Sequence, residues 1–593
     1  MAEGPAKLIN NTEDVVTEAL DGLVHCYPHL VRLDGFPEVK VVLRRDVQQG
    51  CFRKVAVISG GGSGHEPAHA GYVGQGMLTA AVCGNIFSSP PVNSILAAIR
   101  AVTGPPGCLL IVKNYTGDRL NFGLAAEAAK AEGLKIEMVI VEDDCALPPP
   151  RGIVGRRGLA GTVFVHKIAG AVAEEGGTLE EVKAEAEKAA LNIGTMGVAL
   201  SLCTWPGLKA SARMRAGQIE LGLGIHGEPG AMLSNMQPVE DIVSHMLETI
   251  LSKSSGYLTL KGGDKVALMV NGLGGTSQLE LLIAAWNAST LLEVKWGLRM
   301  ERAYVGCFMT SLNMAGISLT LMKVDDCILK RLDAQTHAPG WQNPLSFSGS
   351  RPSTGNIRPL PQPPQEHEES VSRPQELTKL GTVMEAAITA AANVLIDMQQ
   401  DFNKWDEVGD ADCGSTLARA ARGILEDLKT RYPLNDAATT IRELGRTIGI
   451  HMGGTSGALY DIFLRAAYAH LKGVPHIKPS DWVHAFEAGT EAIKKYGRAK
   501  RGDRSMLDAL LPAVDTLKEH VVRGRSNPVT AFLEAAKAAR FGAESTKHMD
   551  AQAGRASYVN KAVSQGQPDP GAMAVAAWLK AAATAVERTL SAM

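Results

Sequence analysis

The sequence predicts an α/β half joined by a proline-rich segment to an all-α half. Three observations carry this. Up to about residue 335, short apolar runs alternate with Ala-rich amphipathic stretches. Residues 336–378 change character, and 351–365 hold prolines at a density that neither a helix nor a central strand sustains. From residue 379 onward Ala, Leu, Lys and Glu recur at helical spacing with few β-branched runs. The expected organisation is an α/β domain over 1–335, an extended linker over 336–378 and a helical domain over 379–593. A chain of 593 residues is too long for one hydrophobic core, which agrees with such a division.

In the first half, the runs 55–59, 109–113, 136–141 and 266–270 are bounded by turn or charged residues and are predicted strands. The stretches 121–132 and 179–190 between them are predicted helices. Such alternation implies parallel sheets covered by helices, with ligands bound beyond the carboxyl ends of strands. In the second half, 384–399, 416–430 and 572–590 carry the helical pattern.

Bulk composition removes several function classes. Hydrophobic content of 45% with 21% charged residues describes a soluble globular protein. A formal net charge of -2 gives no footprint for nucleic acid or an anionic membrane, and no partner of either kind is expected. The basic cluster Arg498-Ala499-Lys500-Arg501 is short, and suits a solvated face or an anion contact. Nine dispersed cysteines without a Cys-x-x-Cys pair argue for free thiols in a reducing compartment. The first residues lack an apolar signal core and the Arg-richness of a transit peptide. No apolar run is expected to span a bilayer, the last three residues are not a peroxisomal signal, and the cytosol is the expected compartment.

Several clusters could carry chemistry. After the strand run 55–58 comes Ser59-Gly60-Gly61-Gly62-Ser63-Gly64-His65-Glu66-Pro67-Ala68-His69. Its glycines can offer backbone N–H groups to a small oxygen-rich molecule, with His65 as an acid–base group beside it. Lys113-Asn114-Tyr115-Thr116-Gly117-Asp118 lies at the end of another predicted strand. In Gly222-Leu223-Gly224-Ile225-His226-Gly227-Glu228, small neighbours leave His226 open to close approach, as a proton carrier or as a nucleophile toward a carbonyl. In the second half, Asp406-Glu407-Val408-Gly409-Asp410-Ala411-Asp412-Cys413-Gly414-Ser415-Thr416 supplies hard oxygen ligands suited to Mg²⁺ with phosphates. It is not an EF-hand, because the bidentate Glu position is Ala421. Met452-Gly453-Gly454-Thr455-Ser456-Gly457 and Arg501-Gly502-Asp503-Arg504-Ser505-Met506-Leu507-Asp508 suit anions at helix starts. The P-loop motif and the protein-kinase signature pair are both lacking, so any phosphoryl transfer needs another architecture.

Taken together, these clusters resemble the ATP-dependent dihydroxyacetone kinase family, which includes enzymes described as triokinase/FMN cyclase. The resemblance runs nearly the full length in family order, through 59–71, 113–119, 222–228, 409–414, 453–457, 502–508 and Gly554-Arg555-Ala556-Ser557-Tyr558. It implies a substrate domain of two α/β parts and a helical barrel that binds ATP. It further implies that His226 forms a covalent hemiaminal with the substrate ketone. Gly62, Ser63, Gly64, His65 and Lys113 would hold the hydroxyls, and Asp118 with His65 would deprotonate the attacking one. Asp410 and Asp412 would hold Mg²⁺. Asp412, Cys413, Gly414, Ser415, Thr455, Ser456, Asp503, Arg504, Gly554, Arg555 and Ala556 would line the ATP site. The implied substrates are dihydroxyacetone and ATP, with glyceraldehyde or 3,4-dihydroxy-2-butanone as further candidates, and the implied assembly is a homodimer. One departure stands out: the family's first acidic residue falls five positions before Asp410, where this chain has Trp405, so Asp406 is a weaker expected ligand. Two rivals follow from the same resemblance. One is FAD-AMP lyase activity, supported by Mn²⁺ or Co²⁺; the other is a non-catalytic dihydroxyacetone-sensing regulator. The fused helical half argues against phosphate supplied by a phosphotransfer protein.

Overall fold

The computed structural model describes residues 7–48, 53–146, 155–208, 213–252, 256–342, 345–346, 371–406, 411–552 and 566–593. The chain forms two compact units, Met1–Arg358 and Pro359–Met593. The proline-dense part of the expected linker lies outside the described residues. Its start does not behave as a linker. Thr336 Oγ1 donates to Gln75 O at 2.7 Å, and Trp341 is buried against Tyr304 and Phe164, so 336–341 belong to the first unit. An indole that finds aromatic partners is removed from water, which favours docking over extension.

The first unit begins with helix α1 (Val15–Cys26) and holds two sheets. The first sheet contains β1 (Leu30–Arg32), β2 (Val41–Arg44), β3 (Ala56–Ser63), β4 (Ala80–Ile86), β5 (Cys108–Lys113) and β6 (Ile136–Val141), in the order β1-β2-β4-β3-β5-β6. Helices α2 (Val92–Val102) and α3 (Thr116–Ala131) connect its parallel strands. After α4 (Thr162–Glu175) and α5 (Leu179–Leu191) comes the second sheet. Its strands are β7 (Ile193–Ala199), β8 (Gln218–Leu221), β9 (Met232–Asn235), β10 (Lys265–Gly272), β11 (Arg299–Gly306), β12 (Gly316–Lys323) and β13 (Leu345–Ser346). Helices α6 (Val239–Ile250), α7 (Gln278–Val294) and α8 (Asp326–Asp333) accompany them.

The expectation of parallel sheets fails for the second one, whose order is β13-β11-β10-β12-β7-β8-β9. Among the described residues only β10 and β11 pair in parallel there; the other ladders are antiparallel. The connection from β11 to β12 is too short for a crossover helix, so β12 returns antiparallel on the far side of β10.

Side-chain alternation divides the cores. Leu109 and Ile111 of β5 face the core of α4, with Phe164 and Ile168, while Leu110 and Val112 face Ile95 and Phe122 of α2 and α3. In β10, Ala267 and Met269 join the α4 core, and Val266, Leu268 and Val270 pack with α6 and α7. Period-two burial on both faces explains why these strands read as continuous apolar runs.

The second unit is helical among its described residues. It contains α9 (Lys379–Asp397), α10 (Gln399–Trp405), α11 (Cys413–Asp427), α12 (Ala437–His451), α13 (Gly454–Leu471), α14 (Pro479–Gly497), α15 (Leu507–Leu517), α16 (Pro528–Ser545) and α17 (Pro570–Ala592). From α11 onward each helix packs on the next, while α9 packs on both α11 and α17. They enclose an apolar cavity of about 480 Å³, lined by residues such as Met384, Phe463, Trp482, Phe486 and Trp578. By length and composition α9 could cross a membrane, contrary to the expectation from sequence. Its apolar face, including Leu380, Met384, Ile388 and Leu395, lines this cavity, with Met384 and Leu395 buried in the core of the helical unit.

Candidate active site

The glycine run is strand, not loop. The expected strand ends at residue 59, yet β3 continues through Gly60, Gly61, Gly62 and Ser63. The reason is close strand approach: a Cβ on Gly60 would lie 2.2 Å from Val82 O in β4. The β3–β5 ladder stops at Ser59 and Ile111, whereas the β3–β4 ladder runs to Ser63 and Ile86. The glycine segment therefore leaves its β5-facing edge unpaired, and the polar side chains of Lys113, His69 and Asp118 stand beside Gly61.

Lys113, the last residue of β5, is fully buried, and its Nζ has no hydrogen-bond partner. Burial lowers its pKa, against the opposing pull of Asp118, Glu228 and Asp143. Asp118 lies in the first turn of α3, where a carboxylate meets the helix N-terminus favourably. Ser89 Oγ donates to its Oδ1 at 2.5 Å. His65 is fully buried, stacks on Phe87 at 4.9 Å and hydrogen-bonds Thr310 O through Nδ1 at 2.8 Å. A carbonyl only accepts, so Nδ1 carries the proton and the unpartnered Nε2 presents a lone pair. Ser63 Oγ donates to Gly84 O, and the Gly64 N–H donates to the Glu66 carboxylate at 3.1 Å. The expected use of the Gly64 donor on substrate is thus already spent within the turn.

His226 comes from the segment between β8 and β9. Two ion pairs brace it. Arg157, paired with Asp144 at 2.6 Å, donates to Gly222 O; Arg213, paired with Glu220 at 2.9 Å, donates to Gly227 O. His226 Nδ1 meets Glu228 Oε1 at 2.6 Å, and its backbone N–H donates to Glu228 Oε2. Burial acts to raise the Glu228 pKa, but the His226 hydrogen bond and charge and two backbone N–H groups outweigh it and bring it to about 2. Glu228 is then a carboxylate acceptor, so in the neutral ring of His226 the proton sits on Nδ1 and the lone pair on Nε2. The half-buried ring lies edge-on to His65 at 4.9 Å, Phe87 at 5.1 Å and Tyr115 at 4.7 Å. His65, Lys113, Asp118 and His226 thus converge, although they come from three separate sequence segments. The sequence reading included Glu228 and Tyr115 in its clusters without giving them a role, and it passed over Ser89 and His166. Only Glu228 had a local signal, its spacing of two residues from His226.

Three buried histidines share this interior. Burial first, then the Lys113 charge, holds His65 and His69 well below 6.5 and His166 at about 3. The unfolded chain binds protons at these imidazoles below pH about 6.5, and the folded chain does not, so their contribution to stability falls as pH falls below that value. Acidification from pH 7 to pH 5 is expected to destabilise the first unit, by up to about 1.4 kcal/mol per pH unit per histidine. Urea unfolding at both pH values checks this, and His166→Gln should flatten the dependence.

In the helical unit, Asp410, Gly554, Arg555 and Ala556 lie outside the described residues. Asp406 Oδ2 accepts the N–H groups of Asp412 at 3.2 Å and Cys413 at 3.1 Å, which makes it a cap on α11. Asp412 is exposed at that helix start. Gly414 is close under Gln399 O, and the Ser415 N–H donates to Asn403 Oδ1. Burial, then Asp406, Asp569 and Asp412, pushes the Cys413 thiol up to about 12. Asp569, at the start of α17, was not foreseen from sequence. Desolvation holds it up at about 6, with Asp508 and Asp406 adding to the rise and the Ala572 N–H and Arg504 opposing it. Arg504 is 2% exposed, donates to Gln567 O and has an unpartnered Nε. Asp503 accepts the Lys500 N–H, and Asp508 those of Gly502 and Ser505. Thr455 and Ser456 open α13, whose start has no side-chain cap and so offers N–H groups.

Among the described residues no three His, Cys, Asp or Glu side chains form a metal set. The donors nevertheless fit a hard cation. Asp406 acts on Asp569, and Asp406, Asp412 and Asp569 all act on Cys413, which gathers negative charge near the start of α11 that a hard cation would offset.

The chain is similar to known proteins along nearly its whole length. The Dak1 domain matches residues 21–340 and the DAK2 domain residues 407–584. A Solanum lycopersicum protein named "Putative 3,4-dihydroxy-2-butanone kinase" is 57% identical, over 98% of this chain and 98% of the relative. Triokinase/FMN cyclase of Rattus norvegicus is 46% identical, over 97% of this chain and 98% of the relative. The crystal structure of the dihydroxyacetone kinase from C. freundii in complex with AMP-PNP and Mg²⁺ matches with TM-score 0.67 and 38% identity, over 98% of this chain and 99% of that chain.

Proposed function

Because the chain belongs to the dihydroxyacetone kinase family, with its Dak1 and DAK2 domains, we propose that it transfers the γ-phosphoryl group of ATP to dihydroxyacetone. The contact of His226 Nδ1 with Glu228 carries the reading, because it leaves the Nε2 lone pair free to attack a ketone. Nε2 bonds to the carbonyl carbon, and the π pair moves to oxygen. The Lys113 ammonium favours that developing negative charge, and Glu228 favours the imidazolium. The His65 Nε2 lone pair and the Asp118 carboxylate are the acceptors for the hydroxyl proton lost on attack at phosphorus. Covalent tethering supplies position, which phosphoryl transfer needs more than covalent chemistry at phosphorus.

Mg²⁺ on Asp410 and Asp412, with Asp406 the weaker ligand, would neutralise the nucleotide phosphates. Cys413, Gly414, Ser415, Thr455, Ser456, Asp503, Arg504 and 554–556 line the ATP site in this reading. The closed succession of helices supports a barrel as its scaffold. Eight free cysteines among the described residues support a cytosolic protein. The assembly is read as a homodimer, which light scattering checks.

A coupled ADP-release assay across dihydroxyacetone, D-glyceraldehyde, 3,4-dihydroxy-2-butanone and glycerol tests the substrate class. Activity on carbonyl compounds and none on glycerol is expected; equal activity on glycerol would sink the hemiaminal. A second reading, FAD-AMP lyase activity at the helical unit, is favoured by the rat relative's name and predicts cyclic FMN release with Mn²⁺ or Co²⁺. Glu228→Gln removes the charge that sets the His226 tautomer. It is expected to lower kcat/KM for dihydroxyacetone on the order of 10²- to 10⁴-fold, in the manner of other carboxylates that orient a histidine.

A further inference from the structure

His69 has no role in the chemistry above, yet one ring nitrogen lines the same pocket. A Cβ built on Gly61 would lie 2.9 Å from Lys113 Nζ, 3.5 Å from His69 Nε2 and 3.6 Å from Asp118 Oδ2. The gap left by the missing side chain of Gly61 is flanked by an ammonium, an imidazole nitrogen and a carboxylate oxygen, and a ligand oxygen would sit farther out than that Cβ. Neither Lys113 Nζ nor His69 Nε2 has a hydrogen-bond partner, though both side chains are buried. Buried polar atoms left open around one gap call for an oxygen between them.

The protonation of His69 follows from its other side. Ser59 Oγ donates its single proton to Ile111 O at 2.7 Å. Toward the two rings that approach it, His166 Nε2 at 3.0 Å and His69 Nδ1 at 3.4 Å, Ser59 Oγ only accepts. Both ring nitrogens therefore carry protons, and His69 Nε2 faces the gap as a lone pair. The His69 and His166 rings lie 5.2 Å apart and hold each other in place. A hydroxyl oxygen in the gap can accept from Lys113 and donate to His69 at once.

We propose that His69 is a further substrate-recognition residue, a neutral acceptor for the hydroxyl of the bound ketone that is not phosphorylated, set in that role by Ser59 and His166. His69 is 3% exposed, and His65 Nε2 and Asp118 already serve as acceptors for the phosphorylated hydroxyl in the reading above, which leaves the other hydroxyl for His69. The inference rests on the kinase reading and deepens it: the preferred ketone carries a second hydroxyl.

The test compares kcat/KM for dihydroxyacetone and hydroxyacetone, which lacks that hydroxyl. His69→Leu is expected to reduce the preference for dihydroxyacetone roughly 2- to 10-fold, the range of a neutral hydrogen bond. His69→Gln, whose amide oxygen can reach the Nε2 position, is expected to restore most of it. Ser59→Ala keeps the ring and its packing but frees the tautomer, and it should narrow the preference in the same direction even if His69→Leu fails to fold. An unchanged preference in Ser59→Ala and His69→Leu, or an equal fall for both ketones, would overturn the inference and leave the kinase reading standing. A wild-type chain that phosphorylates neither ketone would overturn both.

Discussion

His226→Ala is expected to lose phosphorylation of dihydroxyacetone by on the order of 10³-fold or more in kcat/KM, because it removes the nitrogen that bonds the ketone in this reading. His65 cannot substitute. Its ring is fully buried, held by Thr310 O and stacked on Phe87, so Nε2 cannot swing to the place of His226. The loss should appear in turnover on ketones while nucleotide binding by the helical unit is unchanged, which a fluorescent ATP analogue can report. Folding should survive, since His226 is half-buried and the Arg157 and Arg213 braces bond backbone carbonyls, not the imidazole. Full activity in this variant would show that the ketone is held without a covalent bond.

Asp410→Ala and Asp412→Ala should each cost on the order of 10²-fold or more in turnover, because phosphoryl transfer depends on neutralising the nucleotide's charge. The cyclic FMN reaction should fall with them if it shares the site. Asp406→Ala separates two roles. As the α11 cap it should cost roughly 0.5–2 kcal/mol of helical-unit stability without any metal present. Thermal unfolding in chelator measures that part, and the Mg²⁺ concentration for half-maximal rate measures ligation. Unchanged Mg²⁺ dependence in Asp410→Ala would remove that residue from the metal site.

Much of the site was legible because its chemistry is local. His226 between glycines, Asp118 near the end of an apolar strand and the alternate carboxylates at 410 and 412 need no long-range information. The glycine run was legible as a special backbone but not as a strand. Its reason lies in Val82, whose carbonyl approaches Gly60 from another strand. Ser59 and His166 illustrate the same limit: an ordinary strand serine and a histidine on an apolar helix become partners across 107 positions.

By itself the sequence determined the division into an α/β half and a helical half, the strand and helix periods, and the residues with chemistry to offer. Those properties depend on neighbours within a few residues, where backbone preference and hydrophobic period act. Only the tertiary structure decided that the second sheet is mixed, that Glu228 sets the His226 tautomer and that His69 faces Lys113 and Asp118. It also gave Asp406 a capping role. Each of these depends on which groups are brought within hydrogen-bond distance and removed from water. Proton positions, pKa values and pairing partners follow from that distance and burial.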